Sequence, residues 1–142
     1  MTESTNPEIA GLIEELSGAS RRRRQEVAHQ LALTARAHPE LMLPHVDALV
    51  DALSRPEAQT RWEVLDALSA IADVRPDLVA DAYDGAEASL FDDASATVRL
   101  AAFVFLTRLA GSSPERSDEA WPLLDEAIQC YHGDAEYRDM PV

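Results

Sequence analysis

The sequence predicts an all-α fold, a short array of about seven antiparallel helices in which a unit of two helices is repeated. Matching residues recur at offsets of 37 and then 38, apolar residues within each copy recur at every third or fourth position, and proline-containing turns separate the copies. One unit cannot bury its own apolar face, so neighbouring units must stack. The matching columns are Arg24, Arg61 and Arg99; Val27, Val64 and Ala102; Leu31, Leu68 and Leu106; and Pro39, Pro76 and Pro114.

The first unit has a recognisable helix start. Asn6 suits the N-cap, Pro7 the first helical position, and Glu8 the first turn, where the helix dipole favours an acid. We predict a helix to about residue 17 and a second helix over residues 20–37.

The later units follow the same plan. Residues 39–53 predict a third helix. Pro44 costs little if that helix starts at or after Leu41, whereas a kink is expected if it starts earlier. Further helices are predicted over residues 57–73, opened by Pro56 or Glu57, and over residues 76–91 and 95–110.

The last helix is predicted to be capped by Ser117, and Pro122 marks a distortion in it or a later start. Residues 132–142 are polar and have no helical period, so we predict a flexible C-terminal tail. Residues 1–131 are then a single repeat domain.

The first helices of the units carry apolar columns of their own, which the last helix continues. This periodicity predicts that Tyr83 and Trp121 lie in the core. The columns are Ile9, Val46, Tyr83 and Trp121; Leu12, Leu49, Ala86 and Leu124; and Leu16, Leu53, Leu90 and Ile128.

Composition limits the class of protein. The chain of 142 residues is about one domain, and its single cysteine, Cys130, fits a reducing cytoplasm better than a disulfide scaffold. The sequence has no apolar run long enough for a membrane span, and its start does not resemble a signal peptide. We therefore expect a cytoplasmic protein with no membrane partner.

The formal net charge of −14 disfavours contact with polyanions, so we expect no nucleic-acid partner. All twelve basic residues are arginine, which is typical of GC-rich bacterial coding. Residues 1–40 hold six acids and five arginines, whereas residues 41–142 hold twenty acids and seven arginines. The acidic surplus therefore belongs to the later units, and it predicts a protein partner with a basic segment.

Residues 97–102, Thr-Val-Arg-Leu-Ala-Ala, match the second helix of a HEAT repeat. The chain resembles the HEAT-repeat family over roughly residues 6–131. Tetratricopeptide repeats fit less well, because their period is about 34 residues and their Trp-Leu-Gly-Tyr signature is missing. The resemblance implies a right-handed α–α superhelix, a short solenoid. The turn aspartate of such repeats occurs only as Asp92 or Asp93, so a regular ladder of aspartate–arginine contacts is not expected.

Catalytic and metal-binding motifs are not apparent. The histidines His29, His38, His45 and His132 lack the spacing of metal ligands, and no glycine-rich phosphate loop or nucleophile elbow is present. Glu63 and Asp66 share a helical face, but so do many solvated pairs of acids. We expect no enzyme activity, no cofactor and no metal.

Two features allow a functional and a structural interpretation. The arginine run 21–24 opens a helix, where the dipole disfavours positive charge, so it either contacts an acidic or phosphate-bearing partner or is solvated and balanced by nearby acids. Trp62 either anchors a partner or closes the apolar stripe.

The HEAT resemblance implies that the second helices line a concave face. We expect a noncatalytic protein-interaction module, a scaffold or adaptor, that binds a basic or mixed-charge partner there. The alternative is an enzyme or accessory of the bilin-lyase or alkylpurine-glycosylase kind, and a homo-oligomer is also possible. The candidate contact residues are Gln25, Glu26, His29, Trp62, Glu63, Asp66, Leu100, Arg21, Arg22 and Arg23.

Overall fold

The computed structural model describes residues 6–131, and these residues form helices and turns with no strand. The predicted all-α class is therefore confirmed. The predicted flexible tail, residues 132–142, lies outside the described residues. The α-helices are α1 (Pro7–Leu16), α2 (Arg21–Ala37), α3 (Val46–Ala52), α4 (Ala58–Ala72), α5 (Tyr83–Leu90), α6 (Ala96–Ala110) and α7 (Pro114–Tyr131).

The helices form a right-handed α–α superhelix of stacked pairs. The inner helices are α2, α4 and α6, and they pack in series, α2 on α4 and α4 on α6. The outer helices α1, α3 and α5 each pack on the inner helix of their own pair, and α7 packs on α6. This series explains why the inner columns Val27, Val64 and Ala102, and Leu31, Leu68 and Leu106, are all buried.

Two outer helices are irregular at their starts. Residues Pro39–His45 form a 3₁₀ helix and α3 begins only at Val46, so the predicted helix over 39–53 is not a single α-helix. The predicted helix over 76–91 is wrong as a single element, because Pro76–Leu78 and Ala80–Ala82 are separate 3₁₀ turns before α5. The i to i+3 bonds from Val79 N–H and Ala82 N–H close these tighter turns.

The predicted cap of α7 is also wrong. The helix begins at Pro114, and the Ser113 hydroxyl accepts a hydrogen bond of 3.1 Å from the Arg116 backbone N–H. Proline at the first helical position explains this start, because its missing N–H would have no partner within the helix. The helix continues through Pro122 to Tyr131.

The aromatic residues of the outer column are not both in the core. Tyr83 is half-buried, but Trp121 is 49% exposed, so the prediction of a buried Trp121 is wrong. Trp121 lies on the last described helix, and within residues 6–131 no later helix follows to cover it.

Arginine–carboxylate contacts join successive units, although a ladder was not expected. Arg24 donates two hydrogen bonds to Glu57, of 2.6 and 2.8 Å, and Arg61 donates to Asp92. Arg99 Nη1 donates to the Asp92 carbonyl at 2.8 Å. The two carboxylates come from different repeat positions, because Glu57 matches Ser95 whereas Asp92 matches Ser54, so these contacts are not a regular ladder of turn aspartates.

Candidate functional site

The inner helices leave a continuous stripe of unburied side chains on one side of the stack. Positions spaced by three and four residues on α2 lie on one helical face, and the repeat offsets carry the same positions to α4 and α6. All of these residues are exposed or half-buried. We call them the inner face: Arg22, Gln59 and Thr97; Gln25, Trp62 and Leu100; His29, Asp66 and Val104; and Leu33, Ala70 and Arg108.

Trp62 lies on the middle helix of this face, between Gln25 and Leu100 in its column. Its side chain is half-buried and packs against the hydrophobic core. The interpretation of Trp62 as a core residue is therefore partly met, because packing fixes one part of the ring, while its role as a partner anchor stays a prediction. A tryptophan held in this way presents apolar area at a low entropic cost.

Glu63 lies beneath the inner face rather than on it. The residue is only 2% exposed, and its Oε2 is 2.8 Å from Nδ1 of His29, which is exposed on α2. The other carboxylate oxygen, Oε1, has no hydrogen-bond partner among the described residues. Glu63 therefore connects α4 to α2 and orients His29, and it does not offer its own charge to a partner.

Asp66 is the acid that the middle of the face does present. Its Oδ2 accepts a hydrogen bond of 2.9 Å from Arg36 Nη2, and the side chain keeps 27% of its exposure. Burial raises the pKa of Asp66, while Arg36 and Arg108 act in the opposite direction. At the edge of the face, Arg108 pairs with Asp73 at 3.2 Å. Charges of both signs are thus already paired across the helices.

The arginine run 21–24 divides into two halves. Arg23 donates two hydrogen bonds to Glu15, one of them 2.9 Å long, and a third of 3.2 Å to Glu26. Arg24 donates its hydrogen bonds to Glu57. Arg21 and Arg22 are exposed, and Arg22 pairs with Glu26 at 3.3 Å. Only the first two arginines are therefore placed to meet a partner.

The exposed acids are concentrated on the outer helices and their 3₁₀ starts. The inner face itself carries one acid, Asp66, beside two arginines and a histidine. The acidic surplus thus follows the outer side of the array as well as the later units. The exposed outer acids are Glu8, Glu14, Glu40, Asp47, Asp51, Asp77, Asp81, Asp84, Glu87, Glu115, Asp118, Glu119, Asp125 and Glu126.

Half of the inner face and two charged residues beside it, Arg36 and Asp73, were missing from the sequence-based candidates. The missing residues of the face are Gln59, Thr97, Val104, Leu33, Ala70 and Arg108. Leu33 is 48% exposed, although leucine in an amphipathic helix is usually assigned to the core. The repeat column could have revealed that Leu33 is exposed. Leu33 matches Ala70 and Arg108 in the later units, and a column that contains an arginine is expected to face solvent.

The surface has shallow grooves. Three of them have volumes of about 500, 410 and 270 Å³, and none is lined by histidine or cysteine. Over residues 6–131, no three histidine, cysteine or acidic side chains are grouped as a metal site would require. No helix in that range is both long and apolar enough to cross a membrane.

No protein-family model and no curated protein matches the chain. Two solved structures are similar to it. A crystal structure of an engineered protein is 21% identical with a TM-score of 0.73, over 94% of this chain and 59% of that one. A chain of the Rix1–Rea1 pre-60S particle is 14% identical with a TM-score of 0.61, over 97% of this chain and 62% of that one. The chain thus spans about three fifths of the structures it matches, and at these identities the likeness establishes a helical repeat fold alone.

Proposed function

We propose that the chain is a noncatalytic protein-interaction module of the HEAT-repeat type, a scaffold or adaptor acting in the cytoplasm. The partner binds on the concave side, along the inner face. The observation that carries the proposal is the run of four unburied columns across α2, α4 and α6, with the half-buried Trp62 near its middle. Interfaces use such aromatic anchors more than any other apolar group.

The charges of the face favour a partner segment that carries both signs. Asp66 is paired with Arg36, and Arg108 is paired with Asp73, so a docking segment has to replace these partners with groups of matching sign. A segment with basic residues opposite Asp66 and acidic residues opposite Arg36 and Arg108 leaves no charge unpaired. The outer acids add a long-range attraction for a segment that is basic overall.

Affinity capture with matched charge reversals tests the proposal. Asp66→Lys places a cation between Arg36 and Arg108 on the inner face, whereas Glu87→Lys makes the same change on the outer helix α5. We expect the first variant to lose the captured partner and the second to retain it. Equal retention by both variants, or survival of the complex in high salt without change, contradicts the electrostatic part of the proposal.

An activity on nucleic acid is the outcome that would displace this proposal. Binding of duplex DNA at physiological salt in a gel-shift assay would favour a glycosylase-like protein, since nonspecific DNA binding depends on neutralising phosphates with cations. We expect no shift, because the two arginines of the inner face, Arg22 and Arg108, are each paired with a carboxylate and the outer side is acidic.

A further inference from the structure

Four neighbouring side chains form one cell in the middle of the inner face. On α4, Trp62 and Asp66 are four residues apart, and on α2, Gln25 and His29 are four residues apart, so each pair lies on one helical face. The two helices pack directly on each other, and the repeat places Trp62 beside Gln25 and Asp66 beside His29. We call these four residues the central cell.

His29 supplies a hydrogen-bond acceptor to the central cell. Its Nδ1 is 2.8 Å from Oε2 of the buried Glu63, and a carboxylate oxygen accepts, so a neutral imidazole here carries its proton on Nδ1. The other ring nitrogen, Nε2, then keeps its lone pair, and the side chain is 53% exposed. Glu63 is therefore a positioning residue, because it determines which nitrogen of His29 can accept a hydrogen bond from a ligand.

Asp66 supplies a second acceptor, and it already binds a guanidinium group of its own chain. Its Oδ2 accepts the hydrogen bond of 2.9 Å from Arg36 Nη2, which uses one of the two carboxylate oxygens. The side chains of Arg36 and Asp66 keep 53% and 27% of their exposure. Ion pairs this open to water are weak, so the guanidinium of a partner can take the place of Arg36.

Trp62 adds a flat aromatic surface beside the two acceptors. The ring is half-buried and packed against the core, so little conformational freedom is lost when a ligand stacks on it. A guanidinium is planar, stacks on aromatic rings and donates hydrogen bonds in several directions within its plane, whereas an ammonium does not stack. An aromatic ring next to two acceptors from different helices is therefore best matched by arginine.

We propose that the central cell is a subsite for one arginine side chain of the partner. The inference rests on the proposed function, since it assigns one residue of the segment that binds the inner face. The guanidinium stacks on Trp62, donates to Asp66 in place of Arg36, and donates to Nε2 of His29. Arg36, once released, meets an acid of the same segment.

Titration with short peptides tests the subsite without a natural partner. The probes are the N-acetylated, C-amidated tripeptide Gly-Arg-Gly and the same peptide with citrulline or lysine in the middle, and the readout is the NMR signal of each tryptophan indole N–H. We expect the arginine peptide to shift the Trp62 signal with saturation at millimolar concentrations. Citrulline resembles arginine in shape but has no charge, so its peptide should bind at least about tenfold more weakly, and the lysine peptide should also bind more weakly.

Trp121 is the control for nonspecific attraction, because it is exposed on the acidic helix α7. Its signal should not move with the arginine peptide. Equal shifts of Trp62 and Trp121, equal affinity for the arginine and citrulline peptides, or the absence of saturation at Trp62 overturns the proposal.

Variants test the contacts inside the central cell with the same arginine peptide. Asp66→Asn and His29→Ala should each weaken binding at least about twofold, because each removes an acceptor. Arg36→Gln should tighten binding about two- to fivefold, because it removes the competing guanidinium. Arg75→Gln removes the same charge from the exposed pair with Asp77 and should leave the affinity unchanged. Equal effects of the two arginine variants, or no loss for Asp66→Asn, contradict the subsite.

The subsite and the proposed function fail separately in these experiments. A protein partner that binds wild type and is lost with Trp62→Ala, while the arginine peptide does not bind, removes the arginine subsite and leaves the inner face as the binding surface.

Discussion

Glu57 is the residue on which the contact between the first two units depends most. Its carboxylate is fully buried, and it accepts two hydrogen bonds from Arg24 and one of 2.8 Å from the Thr60 hydroxyl. Arg24 keeps only 13% of its side-chain exposure. Removal of one member of an ion pair at this depth is destabilising, because water cannot fully replace the lost partner of the remaining charge.

Glu57→Gln is expected to lower the free energy of unfolding by about 1–3 kcal/mol, because it leaves the half-buried Arg24 guanidinium without its counter-charge. Urea denaturation followed by circular dichroism measures the change. The control is Asp77→Asn, which removes an exposed pair with Arg75 and should have little effect, because water screens such a pair. A loss for Glu57→Gln no larger than the control contradicts the structural role of the buried pair.

The free energy of unfolding at acidic pH should depend on the same contact between Arg24 and Glu57. The hydrogen bonds from Arg24 are the main cause that lowers the pKa of Glu57 from 4.5 to about 2. A lowered pKa in the folded state stabilises the protein above the unfolded value, and that stability disappears as the pH falls from about 4.5 towards about 2. Glu15, Asp77 and Asp92 also have lowered pKa values, so the measurement is the difference between wild type and Glu57→Gln. We expect this difference to shrink across that window, and a constant difference contradicts the assignment.

At the scale of elements, Gly85 of α5 lies against Leu53, the residue that follows α3. A Cβ atom there would lie 2.8 Å from Cδ1 and 3.3 Å from Cβ of Leu53. A Cβ atom at Gly11 in α1 would have no neighbouring atom within 4 Å, so that position shows what alanine does without a clash.

We expect Gly11→Ala to raise the free energy of unfolding by about 0.5–1 kcal/mol through helix propensity. Gly85→Ala should instead lower it by about 1–3 kcal/mol, because Leu53 must move. Thermal and urea denaturation of both variants measure the contrast. The same gain for both would mean that Gly85 and Leu53 are farther apart than the structure has them.

The start of α7 provides a second test of an element. Ser113→Ala should lower the free energy of unfolding by about 1 kcal/mol, because the Arg116 N–H loses its acceptor. Ser117→Ala lies inside the helix and should change it by less than about 0.5 kcal/mol. A larger loss for Ser117→Ala than for Ser113→Ala in urea denaturation would support the helix start at Ser117 that the sequence predicted.

The elements that the sequence predicted well are those with a full apolar period, above all the inner helices. The local sequence rules for helix caps predicted the ends of the helices less well. Both Ser113 and Ser117 are acceptable caps, and Pro114 decides between them. The 3₁₀ turns between Pro76 and Ala82 have the composition of a helix start, and their tighter hydrogen bonding leaves no sequence period to detect.

At the scale of the whole molecule, the repeat offsets locate the inner face, since each column must point to one side of the stack. They do not reveal which charges on it are free. Glu63 was an expected contact and is buried under His29, while Asp66 is bound to Arg36. Pairing of this kind depends on side-chain conformations and helix spacing between units, and neither is encoded in a single repeat.

The two tryptophans make the most direct test of the proposed function. Trp62 is half-buried on the inner face, and Trp121 is 49% exposed on α7, away from that face. The measurement is the affinity of a captured partner for wild type, Trp62→Ala and Trp121→Ala, with circular dichroism to confirm that each variant is folded. We predict that Trp62→Ala weakens binding at least about tenfold while Trp121→Ala leaves it unchanged. Unchanged affinity for Trp62→Ala, with a loss for Trp121→Ala, would contradict the assignment of the inner face as the binding surface.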